Sequence, residues 1–212
     1  MARVPPGEHY FAPRPEVRSS PRTVELALAD VELSLETDRG VFAVGRIDAG
    51  TRQLLELAPP PPRRGNLLDL GTGYGPIAIA LARRSPGATV WAVDVNERAL
   101  ELVRRNAQRA GVANVVAALP ADVPSQVSFE AIYSNPPIRV GKAALHELLE
   151  RWLGRLGRRG RCYLVVHKNL GSDSLARWLE ERGHATRRLA SKKGYRILEV
   201  SPRATAVVDN HS

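Results

Sequence analysis

Short, mainly apolar runs alternate with amphipathic stretches along most of the chain. Runs bounded by glycine, proline or polar residues predict buried strands at residues 67–70, 90–93, 112–117, 129–133 and 162–166. Apolar residues at helical spacing between them predict helices over 77–82, 96–110, 145–156 and 172–179. This alternation indicates an α/β fold, a mostly parallel sheet with helices on both faces. Two last strands, 185–189 and 195–200, have only a tight turn between them and must be antiparallel.

The N-terminal part has a different pattern. Alternating apolar and polar residues predict strands at 24–28 and 31–35, and a turn at 37–40 leads into a third predicted strand, the apolar run 41–44. We therefore expect an N-terminal β-hairpin addition over 24–47. Thr51 is the predicted N-cap of a helix that the prolines at 59–62 end. Residues 1–23 predict an extended proline-rich arm, and residues 203–212 predict a disordered tail. We therefore expect one domain over 24–202, with its core at 64–202.

Composition narrows the class of protein. With 212 residues, 43% of them apolar, the chain can bury one good core. No apolar run approaches the roughly 20 residues that span a bilayer, and the N-terminus lacks a secretory signal's apolar core, so we expect a cytoplasmic protein. The single cysteine, Cys162, excludes an intramolecular disulfide and a cysteine-based zinc cluster. The histidines lack metal-ligand spacing, so no metal site is predicted.

The net charge of +9 is unevenly distributed. Residues 1–138 hold 15 Lys and Arg against 15 Asp and Glu, whereas residues 139–203 hold 16 against 6. A positive field confined to the C-terminal third favours a polyanionic partner, and nucleic acid is the commonest polyanion in a cytoplasm. Solvated arginine faces on surface helices explain the same excess equally well.

The strand at 67–70 runs into a turn that contains three closely spaced glycines. Because glycine adopts positive φ and lacks a Cβ, Gly71, Gly73 and Gly75 allow a sharp bend and the close approach of a ligand. Their spacing does not match the dinucleotide fingerprint, and the Gly-Lys-Ser/Thr of a phosphate loop is absent. The next strand ends at Asp94, whose carboxylate suits the two hydroxyls of a ribose. These features predict a site for an adenosine-bearing cofactor at the carboxyl edge of the sheet.

A second candidate site, Asn135, Pro136, Pro137 and Ile138, follows the fourth core strand at the same predicted edge. The prolines fix two φ angles and remove two N–H donors. We therefore expect the carbonyls of this turn and the Asn135 amide oxygen to face a partner outside the backbone, as a pocket for a planar amine. Alignment and electrostatic preorganisation would supply most of the catalysis. Taken alone, Asn-Pro-Pro is an ordinary turn about as often.

Three segments resemble the methyltransferase small-domain family: residues 68–75, Asp94 with Asn96, and Ser-Asn-Pro-Pro-Ile-Arg at 134–139. The flanks at 40–42, 48–51 and 168–171 are similar too, so the resemblance covers about residues 24–201. The family includes bacterial small-subunit ribosomal RNA guanine-N2 methyltransferases. The resemblance implies a Rossmann-like seven-stranded class I fold, S-adenosylmethionine as the cofactor, and residues 135–138 as the pocket for the target amine. The candidate cofactor contacts are Asp69, Gly71, Thr72, Gly73, Tyr74, Gly75, Asp94, Val95, Asn96, Asp122 and Asn135.

The chain departs from the family pattern in two respects. Ile138 stands where several relatives have Phe or Tyr, and it offers apolar contact without stacking on a base. The best-known ribosomal members also carry a second, degenerate copy of the domain, whereas this chain has one copy. RNA docking then falls to the basic third, the N-terminal arm or the second subunit of a homodimer. Candidate nucleic-acid contacts are Arg139, Lys142, Lys168, Lys192, Lys193 and Tyr195.

Several of these candidates have an equally good structural explanation. Asp122 matches a place where methyltransferases contact the adenine amine, and it is equally typical of a plain turn acid. Lys192, Lys193 and Tyr195 combine charge with a stacking ring, and a solvated hairpin tip has the same composition.

We expect an S-adenosylmethionine-dependent methyltransferase that acts on an exocyclic amine, with guanine N2 of ribosomal RNA as the first choice. Adenine N6 and protein glutamine are alternatives, because Asn-Pro-Pro serves all three amines. A non-catalytic module for RNA binding or assembly is the alternative of another class.

Overall fold

The computed structural model describes residues 17–203, except the side chain of Arg139. Its main sheet has seven strands in the order β5-β4-β3-β6-β7-β9-β8. The strands are β3 (Arg64–Leu70), β4 (Gly87–Val93), β5 (Val115–Ala118), β6 (Phe129–Ser134), β7 (Leu156–His167), β8 (His184–Lys192) and β9 (Tyr195–Arg203). Strands β3 to β7 pair in parallel, and β9 pairs antiparallel with both β7 and β8. The predicted α/β fold with an antiparallel final pair is confirmed.

Within residues 17–203, five α-helices cover the two faces of this sheet. They are α1 (Ala49–Leu57), α2 (Pro76–Arg84), α3 (Glu97–Arg109), α4 (Lys142–Leu153) and α5 (Ser172–Glu181). Successive strand side chains point to opposite faces, so neighbours such as Leu67 and Leu68 enter different cores. Helices α1 to α3 pack on the core that contains Leu67, and α4 and α5 pack on the core that contains Leu68. Among the described residues, no helix is long and apolar enough to cross a membrane.

The N-terminal addition is a two-stranded antiparallel sheet of β1 (Arg22–Ala27) and β2 (Glu32–Thr37). Its apolar face, with Val24, Leu26 and Leu33, joins the core beneath α1 to α3. The side chain of Asn106 in α3 fastens β2 to the main domain. Its Oδ1 accepts from Glu36 N at 2.7 Å, and its Nδ2 donates to Glu36 O at 2.9 Å and to Tyr74 O at 2.8 Å.

The strand predicted at 41–44 is wrong, because these residues form successive turns. Gly40, Ala43 and Gly45 all have positive φ, which an extended strand excludes. The carbonyl of Gly40 accepts a hydrogen bond from Asn96 Nδ2 at 2.7 Å, so it serves α3 instead of a strand partner. The segment therefore packs against the main domain as a compact loop.

Several element boundaries also differ from prediction. The N-cap of α1 is Asp48, which accepts from Thr51 N at 3.1 Å, and Thr51 lies inside the helix. Gly171 precedes α5, and the predicted cap Ser172 is the first helical residue. Strand β5 starts at Val115 because Val112 N still bonds to Ala107 O at the end of α3. Strand β7 starts at Leu156, in the stretch predicted as the end of a helix.

The residues before β1 are also attached to the domain. Ser19 Oγ and Ser20 N donate to the buried carboxylate of Asp38. Arg98 Nη1 in α3 donates to Val17 O and to Arg39 O, both at 2.8 Å. The end of the predicted arm is thus hydrogen-bonded to the domain, and β1 begins at Arg22, inside the predicted arm. Residues 1–16 and the predicted tail from 204 lie outside the described residues.

Candidate active site

The glycine loop connects the carboxyl end of β3 to α2. Its three glycines all have positive φ, between 57° and 92°. Gly71 N and Thr72 N donate to Val93 O at 2.9 and 3.0 Å, which holds the loop against the end of β4. A Cβ at Gly71 would meet nothing within 4 Å, whereas one at Gly75 would lie 3.0 Å from Val103 Cγ2. Gly71 therefore leaves open space, and Gly75 allows close packing on α3.

Asp69 supports this loop from beneath. Its side chain is fully buried, and Oδ2 accepts from Thr72 Oγ1 at 2.6 Å and from Ala78 N at 2.9 Å. The other oxygen, Oδ1, is buried without a hydrogen-bond partner. Burial raises the pKa of Asp69 to about 7, against the opposing effect of its two hydrogen bonds. Asp69 and Thr72 thus set the shape of the loop.

Asp94 joins the end of β4 to the same loop. Its Oδ2 accepts from Gly73 N at 2.9 Å, and its Oδ1 accepts from Asn96 N at 3.0 Å. Burial raises the pKa of Asp94, and these bonds oppose the shift. Val95 is 40% exposed beside it at the rim. The Asn96 side chain instead caps α3 by accepting from Arg98 N and Ala99 N, so the structure gives this predicted cofactor contact a structural role.

Asn135 lies beyond the end of β6, the strand that pairs with β3. Its Nδ2 donates to Asp48 Oδ1 at 2.7 Å and to Thr51 Oγ1 at 3.1 Å, both in the first turn of α1. The preceding residue, Ser134, donates its hydroxyl to Leu70 O at 2.7 Å. That bond ties the Asn-Pro-Pro turn directly to the strand that carries the glycine loop.

The expectation that the proline carbonyls lack backbone partners is wrong. Pro136 O accepts from Ile138 N at 2.8 Å, and Pro137 O accepts from Val140 N at 3.1 Å. These bonds form because the chain turns into a short 3-10 helix over Ile138–Val140. A carbonyl has two lone pairs, so Pro136 O retains capacity for one more donor. The Asn135 amide oxygen is the principal acceptor of the turn.

The glycine loop and the Asn-Pro-Pro turn line one cleft. Its walls are Phe42, Asp48, Thr51, Gly71, Thr72, Gly73, Tyr74, Pro76, Ile77 and Asn135. About 10 Å³ of space is enclosed between these walls. The residue types suit an adenosine-bearing cofactor, because the open backbone at Gly71 and the carboxylate of Asp94 follow the ends of the neighbouring strands β3 and β4.

The sequence from residue 32 to residue 199 matches the model of the methyltransferase small domain. The chain belongs to this family. It is an S-adenosylmethionine-dependent methyltransferase family, so the fold, the order of the two loops and the family agree.

Known relatives cover the methyltransferase domain to different extents. The uncharacterized protein YbxB of Bacillus subtilis is 36% identical over 195 residues, which are 91% of this chain and 97% of YbxB. Ribosomal RNA small subunit methyltransferase C of Chromohalobacter salexigens is 37% identical over 176 residues, 79% of this chain and 51% of that enzyme. A similar solved structure is the T. thermophilus 16S rRNA N2 G1207 methyltransferase (RsmC) in complex with AdoMet and guanosine. Its TM-score against this chain is 0.76 at 26% sequence identity, and the match covers 89% of this chain and 52% of that chain. The chain thus spans about half the length of these ribosomal relatives.

Other predicted contacts of this methyltransferase domain have other roles in the structure. Tyr74 is buried, and its hydroxyl donates to Arg46 O at 2.9 Å, so the ring forms a fixed wall of the cleft. Burial also raises the pKa of Tyr74, which keeps the phenol protonated. Asp122 is exposed in a turn in which its N–H donates to Leu119 O at 3.0 Å.

The candidate nucleic-acid contacts fall into two groups. Lys142, Lys168 and Lys193 are exposed. Lys192 forms an ion pair with Glu56 at 3.5 Å, and the Tyr195 ring packs edge-on against His167 with centroids 5.0 Å apart. A Cβ on Gly50 would lie 2.9 Å from Tyr195 Cε1, so this ring is packed on α1 and is a poor stacking surface for a base. The side chain of Arg139 lies outside the described residues.

Two polar residues of the cleft had no predicted part in the active site. Asp48 and Thr51 bind the Asn135 amide, although 87 and 84 residues, respectively, separate them from it in sequence. The only sequence signal was the likeness of residues 48–51 to the family, which assigned them no function. A polar N-cap is common to many helices, so its second role depends on tertiary contact.

Proposed function

We propose that this chain transfers the methyl group of S-adenosylmethionine to an exocyclic amine, guanine N2 of small-subunit ribosomal RNA. The observation that carries the proposal is the shared cleft, which both Gly71 and Asn135 line. The T. thermophilus RsmC, whose complex contains AdoMet and guanosine, supports the same pairing of ligands.

Each loop has a proposed task. The open backbone at Gly71 and Gly73 admits the methionine end of the cofactor, and Asp94 accepts the hydroxyls of its ribose. When bound, S-adenosylmethionine would supply an electrophilic methyl group and leave as S-adenosylhomocysteine, while the methylated amine loses one proton to solvent. Asn135 Oδ1 accepts a hydrogen bond from the target amine, and the remaining lone pair of Pro136 O accepts a second one. These contacts localise the nitrogen lone pair, and they orient the nitrogen toward the methyl carbon.

RNA binding is proposed for the basic C-terminal third. Lys142 starts α4 just beyond the Asn-Pro-Pro turn, and Lys168 follows the carboxyl end of β7 at the same edge of the sheet. Phosphate contacts from such lysines position an RNA without reading its sequence. In this proposal a second subunit or the N-terminal arm extends the surface.

Methylation assays with labelled S-adenosylmethionine test the proposal. Purified 16S ribosomal RNA and small subunits serve as substrates, and nucleoside mass spectrometry identifies the product. We expect N2-methylguanosine from the wild type and a loss of at least about 100-fold in kcat for Asn135→Ala, with unchanged cofactor affinity. Asn169→Ala, at an exposed asparagine on the same rim, is the matched control.

The other outcomes identify the alternatives. N6-methyladenosine would contradict the choice of base, and label in protein would contradict RNA as the substrate. If calorimetry detects no binding of S-adenosylmethionine to the folded wild type, a non-catalytic RNA-binding module replaces the enzyme. Turnover by Asn135→Ala at the wild-type rate would remove Asn135 from the mechanism.

A further inference from the structure

We infer that Asp48 is a positioning residue that makes Asn135 present its oxygen, and never its NH2 group, to the substrate. The inference rests on the proposed methyl transfer, and it concerns how the acceptor is oriented. Asp48 and Asn135 both line the cleft.

The chemistry of the contact fixes the amide. Asp48 Oδ1 lies 2.7 Å from the terminal amide of Asn135. An ionised carboxylate only accepts hydrogen bonds, so the amide atom that faces it must be the nitrogen. A flipped amide would bring two oxygens to this distance and would repel. Oδ1 of Asn135 is therefore directed away from α1 and remains available as an acceptor.

Thr51 cannot fix the amide in this way. Its hydroxyl is 3.1 Å from Asn135 Nδ2, but a hydroxyl both donates and accepts, so it tolerates either amide orientation. The selection thus falls to Asp48. A charge-assisted bond also polarises the amide, which strengthens its oxygen as an acceptor.

Asp48 is itself held in place. The same Oδ1 accepts from Thr51 N at 3.1 Å as the N-cap of α1. The start of α1 is further packed by Tyr195, whose ring fills the space beside Gly50. A negative charge at a helix N-terminus is also favourable. The orientation of the amide is therefore fixed by the position of a helix and does not depend on a mobile side chain.

This arrangement has a consequence for substrate choice. A site that offers only an acceptor at Asn135 matches the hydrogens of an amine and rejects a carbonyl at the same position. Guanine, adenine and glutamine all pass this test, whereas the O4 edge of uracil does not.

The variants Asp48→Ser and Asp48→Asn separate positioning from folding. Serine is a good N-cap, but its shorter side chain reaches Thr51 N and leaves Asn135 without a carboxylate. Asparagine can offer one oxygen to both donors. We expect kcat to fall about 10- to 100-fold in Asp48→Ser, the range that corresponds to losing one charge-assisted hydrogen bond. We expect Asp48→Asn to lose less, about three- to tenfold, because the bond from Thr51 N keeps its oxygen facing Asn135 although the charge is gone. We expect KM for RNA and cofactor affinity to change little in both variants.

The result that would overturn the inference is a kcat of Asp48→Ser equal to that of the wild type, or a loss in Asp48→Asn as large as in Asp48→Ser. A parallel fall in cofactor affinity would also overturn it, because it would make Asp48 a wall of the cofactor site. If Asp48→Ser unfolds at the assay temperature, assays of wild type, Asp48→Ser and Asp48→Asn at a lower temperature, where circular dichroism shows all three folded, give the same comparison. A wild type without any methyl transfer would count against the proposed function, whereas equal rates in wild type and Asp48→Ser count against this inference alone.

Discussion

Replacing Asn106 with alanine is expected to loosen the N-terminal sheet and the glycine loop together. The Asn106 side chain is fully buried, and it makes three hydrogen bonds of 2.7 to 2.9 Å to Glu36 and Tyr74. Each of these bonds contributes about 1 kcal/mol, and a buried partner left unpaired costs about 1–3 kcal/mol. Water reaches part of Glu36, so we expect the free energy of unfolding to fall by about 3–5 kcal/mol. The affinity for S-adenosylmethionine should fall as well, because the carbonyl of Tyr74 belongs to the glycine loop.

Urea unfolding followed by circular dichroism measures the first effect, and calorimetry measures the second. Asn114→Ala is the matched control, because its half-buried side chain bonds only to Ser85 O and Ala88 O, away from the glycine loop. We expect it to lower the stability by about 1–2 kcal/mol without changing cofactor affinity. A loss below about 1 kcal/mol in Asn106→Ala, or equal losses in both variants, would refute the role assigned to Asn106.

Three further predictions concern the loop and the RNA surface. Because the pKa of Asp69 is raised to about 7 in the folded state, the folded protein keeps the Asp69 proton at pH values where the unfolded chain has lost it. The free energy of unfolding is therefore higher at low pH, and this contribution is lost as pH rises from about 4 to 7. The stability of wild type relative to Asp69→Asn should therefore fall by about 2–3 kcal/mol between pH 5 and pH 8 in urea titrations, and a constant difference would contradict the shift. Gly75→Ala should lower the melting temperature more than Gly111→Ala. Both glycines have positive φ, but only at Gly75 would the added Cβ lie close to another side chain, 3.0 Å from Val103. Equal shifts would exclude a packing contribution at Gly75. The double variant Lys142→Glu, Lys168→Glu should bind RNA more weakly, and its RNA affinity should depend less steeply on salt concentration, while its cofactor affinity stays the same. If filter binding shows the same salt dependence as the wild type, these lysines do not contact the RNA.

The fold and the two principal loops could be predicted because their signals are local. A buried strand that ends at Gly71, and a strand that ends at Asn135, each carry their own turn chemistry in a few adjacent residues. The rules for parallel sheets then bring both turns to one edge. The strand at 41–44 was wrong because the apolar run there reflects packing of Val41 and its neighbours in a compact loop, and the positive φ of Ala43 has no sequence signal.

The second role of Asp48 could not be predicted, since it depends on where α1 lies relative to β6. The sequence of this helix start predicted a cap at Thr51, three residues too late. The free carbonyls expected after Asn135 were wrong for a similar reason, because the two prolines lead into a 3-10 turn that uses both of them. Local rules describe which donors a proline lacks, and they do not say which neighbours will bond to its carbonyl.

The order of the strands divides the enzyme chemistry between two parts of the chain. Strands β3 and β6 are neighbours in the sheet, yet β4 and β5 intervene between them along the sequence. The residues proposed to hold the methyl donor, Gly71, Gly73 and Asp94, lie before β6, whereas Asn135, Lys142 and Lys168, proposed to hold the acceptor, come after it. The charge follows the same division, because the excess of basic residues lies in 139–203, which hold 16 basic and 6 acidic residues. If the proposed function holds, mutation can therefore retarget the second part toward a different nucleic acid while the first part goes on supplying the same methyl group.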